Sequence, residues 1–291
     1  MASMRSIKRR KESVQSTQQI TKAMKLVSTV KLQRAKTRAE QSKSYFHSMY
    51  ATVKAILARA GSIRHPYLES GQSEKKAIVM ITSNRGLAGG YNSNIIKLVT
   101  RNEELTSDKC VIYAVGKKGK DSLHKAGYEI ARDYSDAIEE PIYIDAMNIV
   151  KDVLADFAEG KIGEIYLAYT AFKNTVSHIP TLIRLLPIDL EGSGVEEDEN
   201  GMPDDKLLMN FEMDESEAIS LLIPKYMTSL IFGAMVEAVA SENGARMQAM
   251  DSATSNAEDM ISALSLQYNR ARQSSITQEL TEIIAGADAL S

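Results

Sequence analysis

Apolar residues recur at helix spacing at both ends of this chain and at strand spacing only in its middle. In the first sixty residues Ile20, Ala23, Met24, Val27 and Val30 follow the i, i+3, i+4, i+7 pattern, and no proline interrupts them. The spacing predicts one long helix, stopped by Gly61-Ser62-Ile63-Arg64-His65-Pro66. The middle reads differently. Lys76–Thr82, Cys110–Val115, Tyr128–Arg132, Glu164–Thr170 and Thr181–Ile188 are short β-rich runs. Helical stretches separate them: one from the glycine turn after Thr82 to about Leu105, then Lys117–Ala126 and Ala146–Ala158. The last of these carries Ile149, Val150, Val153, Leu154 and Phe157 on one face. Alternating strands and helices predict a mostly parallel, Rossmann-like α/β sheet covered on both faces. After the acidic, solvated loop 191–206, helix spacing returns at Met227, Leu230, Ile231, Ala234 and Ala238, with Pro224 near the helix start or at a kink. Between Ser241 and Ala257 the stripe thins to Ala245, Ala249, Ser252 and Ala253, small enough to let two helices approach closely. Larger residues resume at Met260, Ile261, Leu264 and Tyr268, followed by Ile276, Leu280, Ile283 and Ile284.

Charge sharpens this picture. Residues 1–60 hold fourteen Lys/Arg against two carboxylates, net +12, whereas residues 207–291 hold four cations against twelve Asp/Glu, net −8. Two long helices of opposite sign can pair antiparallel as a coiled coil, with the α/β domain between them in sequence. The expected division is 1–62 for the first helix, 74–206 for the central domain and 207–291 for the second helix. At about 1.5 Å per residue, sixty helical residues span roughly 90 Å, far more than a compact domain needs. That length points to a mechanical or organising role.

Composition bounds the rest. The single cysteine, Cys110, excludes an internal disulfide, suits a reducing compartment, and sits beside Val111 and Ile112 as a buried strand residue would. No apolar run approaches the length needed to cross a bilayer, and the basic start leads into no signal-peptide core. A cytosolic protein is expected, with peripheral attachment to membrane machinery left open. His47, His65, His124 and His178 are scattered at spacings unsuited to metal ligation, and no nucleophile–base pair is visible. No metal, cofactor or catalytic residue is therefore expected.

Three stretches carry the functional argument. Ser83-Asn84-Arg85-Gly86-Leu87-Ala88-Gly89-Gly90-Tyr91-Asn92 follows a strand and opens a helix, where α/β proteins cradle phosphates. Its spacing fits neither dinucleotide nor P-loop fingerprints, so Gly86, Gly89 and Gly90 read as turn and packing residues. The basic first helix admits nucleic-acid binding, though its cations surround the helix and its aromatics are few. Tyr268 to Ile283 is a helix with hydrogen-bonding groups on every side, as a helix gripped by a partner without an apolar seal would be. From residues alone, a nucleotide-binding α/β enzyme with helical arms and a basic coiled-coil nucleic-acid binder stay open beside a mechanical shaft.

Three blocks resolve the choice by resemblance. Ile7-Lys8-Arg9-Arg10 with Thr17–Ser28, the Ser83–Asn92 turn, and Tyr268-Asn269-Arg270-Ala271-Arg272-Gln273 through Gly286 are similar to the gamma subunit family of rotary ATP synthases. The likeness spans essentially the whole chain; Asn84 departs from it, since the family more often carries Asp. The resemblance implies a non-catalytic rotor with no cofactor. It implies a shaft inside a hexamer of three alpha and three beta subunits, with a central domain contacting the epsilon subunit and the c-subunit ring. It implies coupling of ion flow to ATP synthesis, peripheral attachment at the cytoplasmic face of the cell membrane, no direct membrane insertion and no nucleic acid. Carried over residue by residue, Arg272, Gln273 and Thr277 would contact the beta subunit. Met24 would join them from near the same level of the first helix.

Overall fold

The computed structural model describes residues 4–59, 65–71, 73–188 and 215–288. The acidic loop 191–206 lies outside these residues, as does most of the helix stop at 61–66. The element order is α1 (Met4–Arg59), β1 (Lys76–Ile81), α2 (Tyr91–Thr100), β2 (Cys110–Val115), α3 (Lys117–Lys125), β3 (Glu129–Asp133), α4 (Tyr143–Ala158), β4 (Glu164–Phe172), β5 (His178–Leu186) and α5 (Glu215–Asp288). Two compact units emerge: Met1–Ser28 with Arg246–Ser291, and Thr29–Ala245.

In the larger unit the five strands run β3-β2-β1-β4-β5. The first four are mutually parallel and β5 is antiparallel to β4. Every residue of Cys110–Val115 and all of β1 beyond Lys76 are buried, the near-continuous apolar run of a parallel strand covered on both faces. Alternation then sorts the side chains. Val79, Ile81, Tyr113, Val115 and Leu167 pack with α4 (Ile149, Val153) and α5 (Ile223, Met227, Ile231). Ile78, Met80, Ile112 and Ala114 pack with Ile95 and Val99 of α2 and Leu123 of α3. The β4–β5 hairpin closes through Asn174, whose Oδ1 accepts from the backbone N–H groups of Val176 and Ser177.

One expectation needs correction here. One stretch of α5 is long and apolar enough by composition to cross a bilayer, contrary to the reading that no such run exists. Its buried residues instead include Ile219, Ile223, Met227, Ile231 and Met235, so this is a core helix whose outer positions are also apolar. Pro224 lies within α5, with the Thr228 hydroxyl donating to its carbonyl oxygen. Cys110 is buried as expected, and burial pushes its thiol up to about 11.

His65 ties the chain after α1 to α5. Its Nδ1 accepts from the Tyr67 backbone N–H at 3.2 Å, which leaves Nε2 to donate to the Ser220 hydroxyl at 2.8 Å. The ring is 7% exposed, and burial lowers its pKa from the ordinary 6.5. Its neutral form is therefore the one that stabilises the fold. This contribution is complete above pH 6.5 and declines as pH falls, because the unfolded chain then takes up the proton more readily. Burial lowers the pKa of His178 in the same direction. Between pH 7.5 and 5.5 the thermal midpoint is therefore expected to fall. His65→Gln should flatten that slope; an unchanged slope would contradict the assignment.

Candidate partner-contact surface

In the smaller unit α1 and α5 pair antiparallel. Gln18 Nε2 donates to Glu258 Oε1 at 3.0 Å, the hydroxyls of Thr21 and Thr254 share a 2.8 Å hydrogen bond, and Lys25 Nζ meets Asp251 Oδ1 at 2.6 Å. The steps are three and four residues along α1 and four and three back along α5, the heptad spacing of a coiled coil. The less exposed positions continue it: Ile7, Lys11, Val14 and Gln18 on α1, and Ala257, Ile261, Leu264, Tyr268 and Ala271 on α5. The Lys25–Asp251 pair is 40% and 62% exposed at its two side chains. It is worth at most about 1 kcal/mol and acts chiefly to fix register.

The apolar stripe expected to form this seam does not. Ile20, Val27 and Val30 are each more than half exposed, as is Leu26, while Thr21 and Ser28 are buried. A 3.6-residue period identifies an apolar face but does not say which partner covers it. Between Thr21 and Ser28 hydroxyl side chains take the seam, and Ile20, Leu26, Val27 and Val30 face away from it. On α5, Ala249 and Ala253 flank the seam half-buried, whereas Ser252, Met260 and Leu266 face outward.

Arg272 and Gln273 are exposed, and the Thr277 hydroxyl donates to the Gln273 carbonyl oxygen one turn back. Gln273 and Thr277 thus share a face, with Arg272 beside it. Met24, half-buried, does not lie at their level. The Lys25–Asp251 register places it opposite about residue 252, some twenty residues or roughly 30 Å along α5 from Arg272. Beyond Ser275, Ile276, Leu280, Ile283 and Ile284 stand 48–67% exposed on a helix whose coiled-coil partner begins at Met4.

The glycine turn of the larger unit is only partly as expected. Gly89 takes a positive φ, but Gly90 is ordinary helical backbone, and the second positive-φ position of the turn is Leu87 at 63°, a residue 64% exposed. Asn84 uses both ends of its amide: Nδ2 donates to the Ser135 carbonyl and Oδ1 accepts from the Lys117 N–H. Asn92 Oδ1 accepts from the Ser83 backbone N–H. The Asn84 bonds tie the turn to Ser135 and to the start of α3, and the Asn92 bond closes it from within.

Sequence reasoning missed one surface. Ile142, Tyr143, Ile144 and Met147 are exposed at the start of α4, although Ala146, Ile149 and Val150 of the same helix are buried. The signal was present: apolar residues on two opposed faces of one helix, where a surface helix shows a single stripe.

Comparison with known proteins decides among the readings. The family described as ATP synthase matches residues 3–290. The ATP synthase gamma chain of Lachnoclostridium phytofermentans is 65% identical over the full length of both chains. The chain belongs to the ATP synthase gamma family. The gamma chain of Alkaliphilus metalliredigens is 42% identical, over 99% of this chain and 98% of that one. Among solved structures, a chain of the Euglena gracilis mitochondrial ATP synthase in rotational state 3 shares the fold with a TM-score of 0.69 at 21% identity, covering 99% and 94% of the two chains. This gamma chain is thus a non-catalytic subunit, the central-stalk rotor of its enzyme complex. The nucleotide-binding enzyme and the nucleic-acid binder are set aside.

Proposed function

We propose that the coiled-coil end of this rotor turns inside a hexamer of three alpha and three beta subunits. Arg272, Gln273 and Thr277 meet the beta subunit there, and Met24 meets it at a separate, lower level. The central domain contacts the epsilon subunit and the c-subunit ring, and the assembly lies against the cytoplasmic face of the cell membrane. The division into 1–62, 74–206 and 207–291 is retained as a functional one: two shaft helices and a membrane-proximal body.

The observation that carries this reading is the end of α5. Exposed Ile276, Leu280, Ile283 and Ile284 follow directly on the exposed polar face of Arg272, Gln273 and Thr277. Their i, i+4, i+7, i+8 spacing makes one apolar face beside polar ones, and an exposed apolar face of this kind is one that a partner covers. A rotor must also leave each of several equivalent stations. Burial at about 25 cal/mol per Å² in one deep apolar socket would become a barrier to every step, whereas exchangeable polar contacts would not. Mixing the purified chain with matching alpha and beta subunits tests this. One copy per three alpha–beta pairs and ATPase turnover dependent on the chain are expected. Arg272→Ala combined with Gln273→Ala should lower that turnover at least about fivefold, near 1 kcal/mol, without preventing assembly. Full turnover in the double variant would refute the contact assignment.

A further inference from the structure

We propose that the β4–β5 hairpin is a proton-sensitive latch on α5, closed while His178 is neutral and released when that ring takes up a proton. β1 pairs with β4 only as far as Ala168. Beyond that point α5 supplies the partners. The Ser241 hydroxyl donates to the Thr170 carbonyl oxygen at 3.1 Å, and Glu237 Oε2 accepts from the Phe172 backbone N–H at 3.3 Å. Side chains of a helix thus stand in for a neighbouring strand.

His178 completes the closure. It lies opposite Phe172 across the hairpin, its ring 6.2 Å from the phenyl ring between centroids, and its Nε2 reaches Gly244 of α5. A Cβ at Gly244 would stand 2.6 Å from that nitrogen, so the imidazole takes room that any larger residue would fill. These contacts fall on α5 between Glu237 and Gly244, just before the larger unit ends at Ala245. The consequence rests on the rotor reading. α5 runs on to Asp288, and a hairpin that lets go of it passes less of the rotation along that helix.

Protonation is what this closure does not accommodate. Nε2 is buried without a hydrogen-bond partner among the described residues, and the buried Thr170 hydroxyl is likewise unpaired. A neutral ring can carry its hydrogen on Nδ1 and leave Nε2 bare, whereas an imidazolium must donate from both nitrogens. The neighbouring titratable groups give no relief. Glu237 is engaged by Phe172, Glu242 and Arg246 are half-buried with partners of their own, and Lys173 at the hairpin tip is exposed. α2, which also packs on β4 and β5, brings only Tyr91 and an exposed Lys97, and Tyr169 of β4 completes the set. Burial lowers the His178 pKa from the ordinary 6.5, the value that the ring regains once the hairpin opens to water. The latch is therefore at full strength above pH 6.5 and weakens as pH falls below it. The open-to-closed ratio rises by at most about tenfold per pH unit.

The test is amide hydrogen exchange of the hairpin in the full chain between pH 7.5 and 5.5, corrected for the intrinsic effect of pH on exchange. Protection over residues 172–179 should fall at least about threefold in the native chain. His178→Gln, uncharged throughout, should abolish that fall, whereas His65→Gln should leave it in place. Gly244→Ala should displace the imidazole and lower hairpin protection already at pH 7.5, with the strand Lys76–Ile81 keeping its own. Constant protection in the native chain, or the same fall in His178→Gln, would overturn the latch. Full protection at pH 7.5 in Gly244→Ala would overturn the closed position assigned to His178. The consequence is read in vesicles carrying the whole synthase, as ions taken up per ATP hydrolysed. That ratio should decline less on acidification with His178→Gln than with the native chain. Equal declines would overturn the consequence and leave the latch, and failure of the chain to enter the synthase would overturn the rotor reading alone.

Discussion

Gly116→Ala is expected to destabilise the central domain by at least about 4 kcal/mol, enough to leave little folded protein at 37 °C. Gly116 links β2 to α3 at φ 118°, a backbone conformation that residues bearing a Cβ rarely adopt. A Cβ there would stand 2.1 Å from the Thr82 carbonyl oxygen. That oxygen cannot retreat cheaply. The Thr82 N–H donates to Val115 O, and its hydroxyl donates to Gly116 O while accepting from the Gly119 N–H. Gly160→Ala is the informative control: it also has a positive φ, 71°, but nothing lies within 4 Å of its added Cβ. It should cost only about 1–2 kcal/mol, the backbone term alone. Denaturant midpoints of the two variants measure the difference, and similar losses would show that the Thr82–Gly116 contact does not matter.

Met24→Lys should leave the chain folded and yet lower the ions moved per ATP hydrolysed several-fold. Met24 is half-buried on a helix that already carries Lys22, Lys25 and net +12 over its first sixty residues. Asp251 is engaged by Lys25, so a further ammonium beside it would seek an acceptor on a surrounding subunit. A charge-assisted hydrogen bond of about 1.5–3 kcal/mol, made at one station and not at the next, deepens one well of the rotation. Each 1.4 kcal/mol slows escape about tenfold, so turnover is diverted into slippage. Proton or sodium uptake by vesicles, set against phosphate released, reads the ratio. A normal ratio would remove Met24 from the coupling contacts.

Residues whose burial depends on this chain alone were legible in the sequence. The runs Lys76–Ile81, Cys110–Val115 and Glu164–Phe172 are strands because a parallel sheet covered on both faces demands continuous apolar stretches. The added antiparallel strand β5 follows from the turn at Asn174, whose side chain replaces backbone partners. Residues shaped for other molecules misled. Ile20, Val27 and Val30 have helix period but face away from α5, and the seam runs through Thr21 and Ser28, which a hydrophobicity pattern cannot rank. The level of Met24 could not be read either, because register lies in the pairing of Thr21 with Thr254 and Lys25 with Asp251, more than two hundred residues apart. Arg272, Gln273 and Thr277 were found only through resemblance, since an exposed polar helix looks the same whether or not a partner grips it. The first turn of α4 was visible in principle from its two apolar faces, but the second face conveys nothing until the first is known to be in the core.

As the central-stalk rotor, this chain should turn as a shaft within its complex. Alpha and beta subunits fixed to a surface, with a bead carried on the central domain of this chain, test it most directly on addition of ATP. Continuous rotation in one direction with three evenly spaced pauses per turn is expected. A bead that fluctuates about one orientation while ATP is consumed at the normal rate would contradict it.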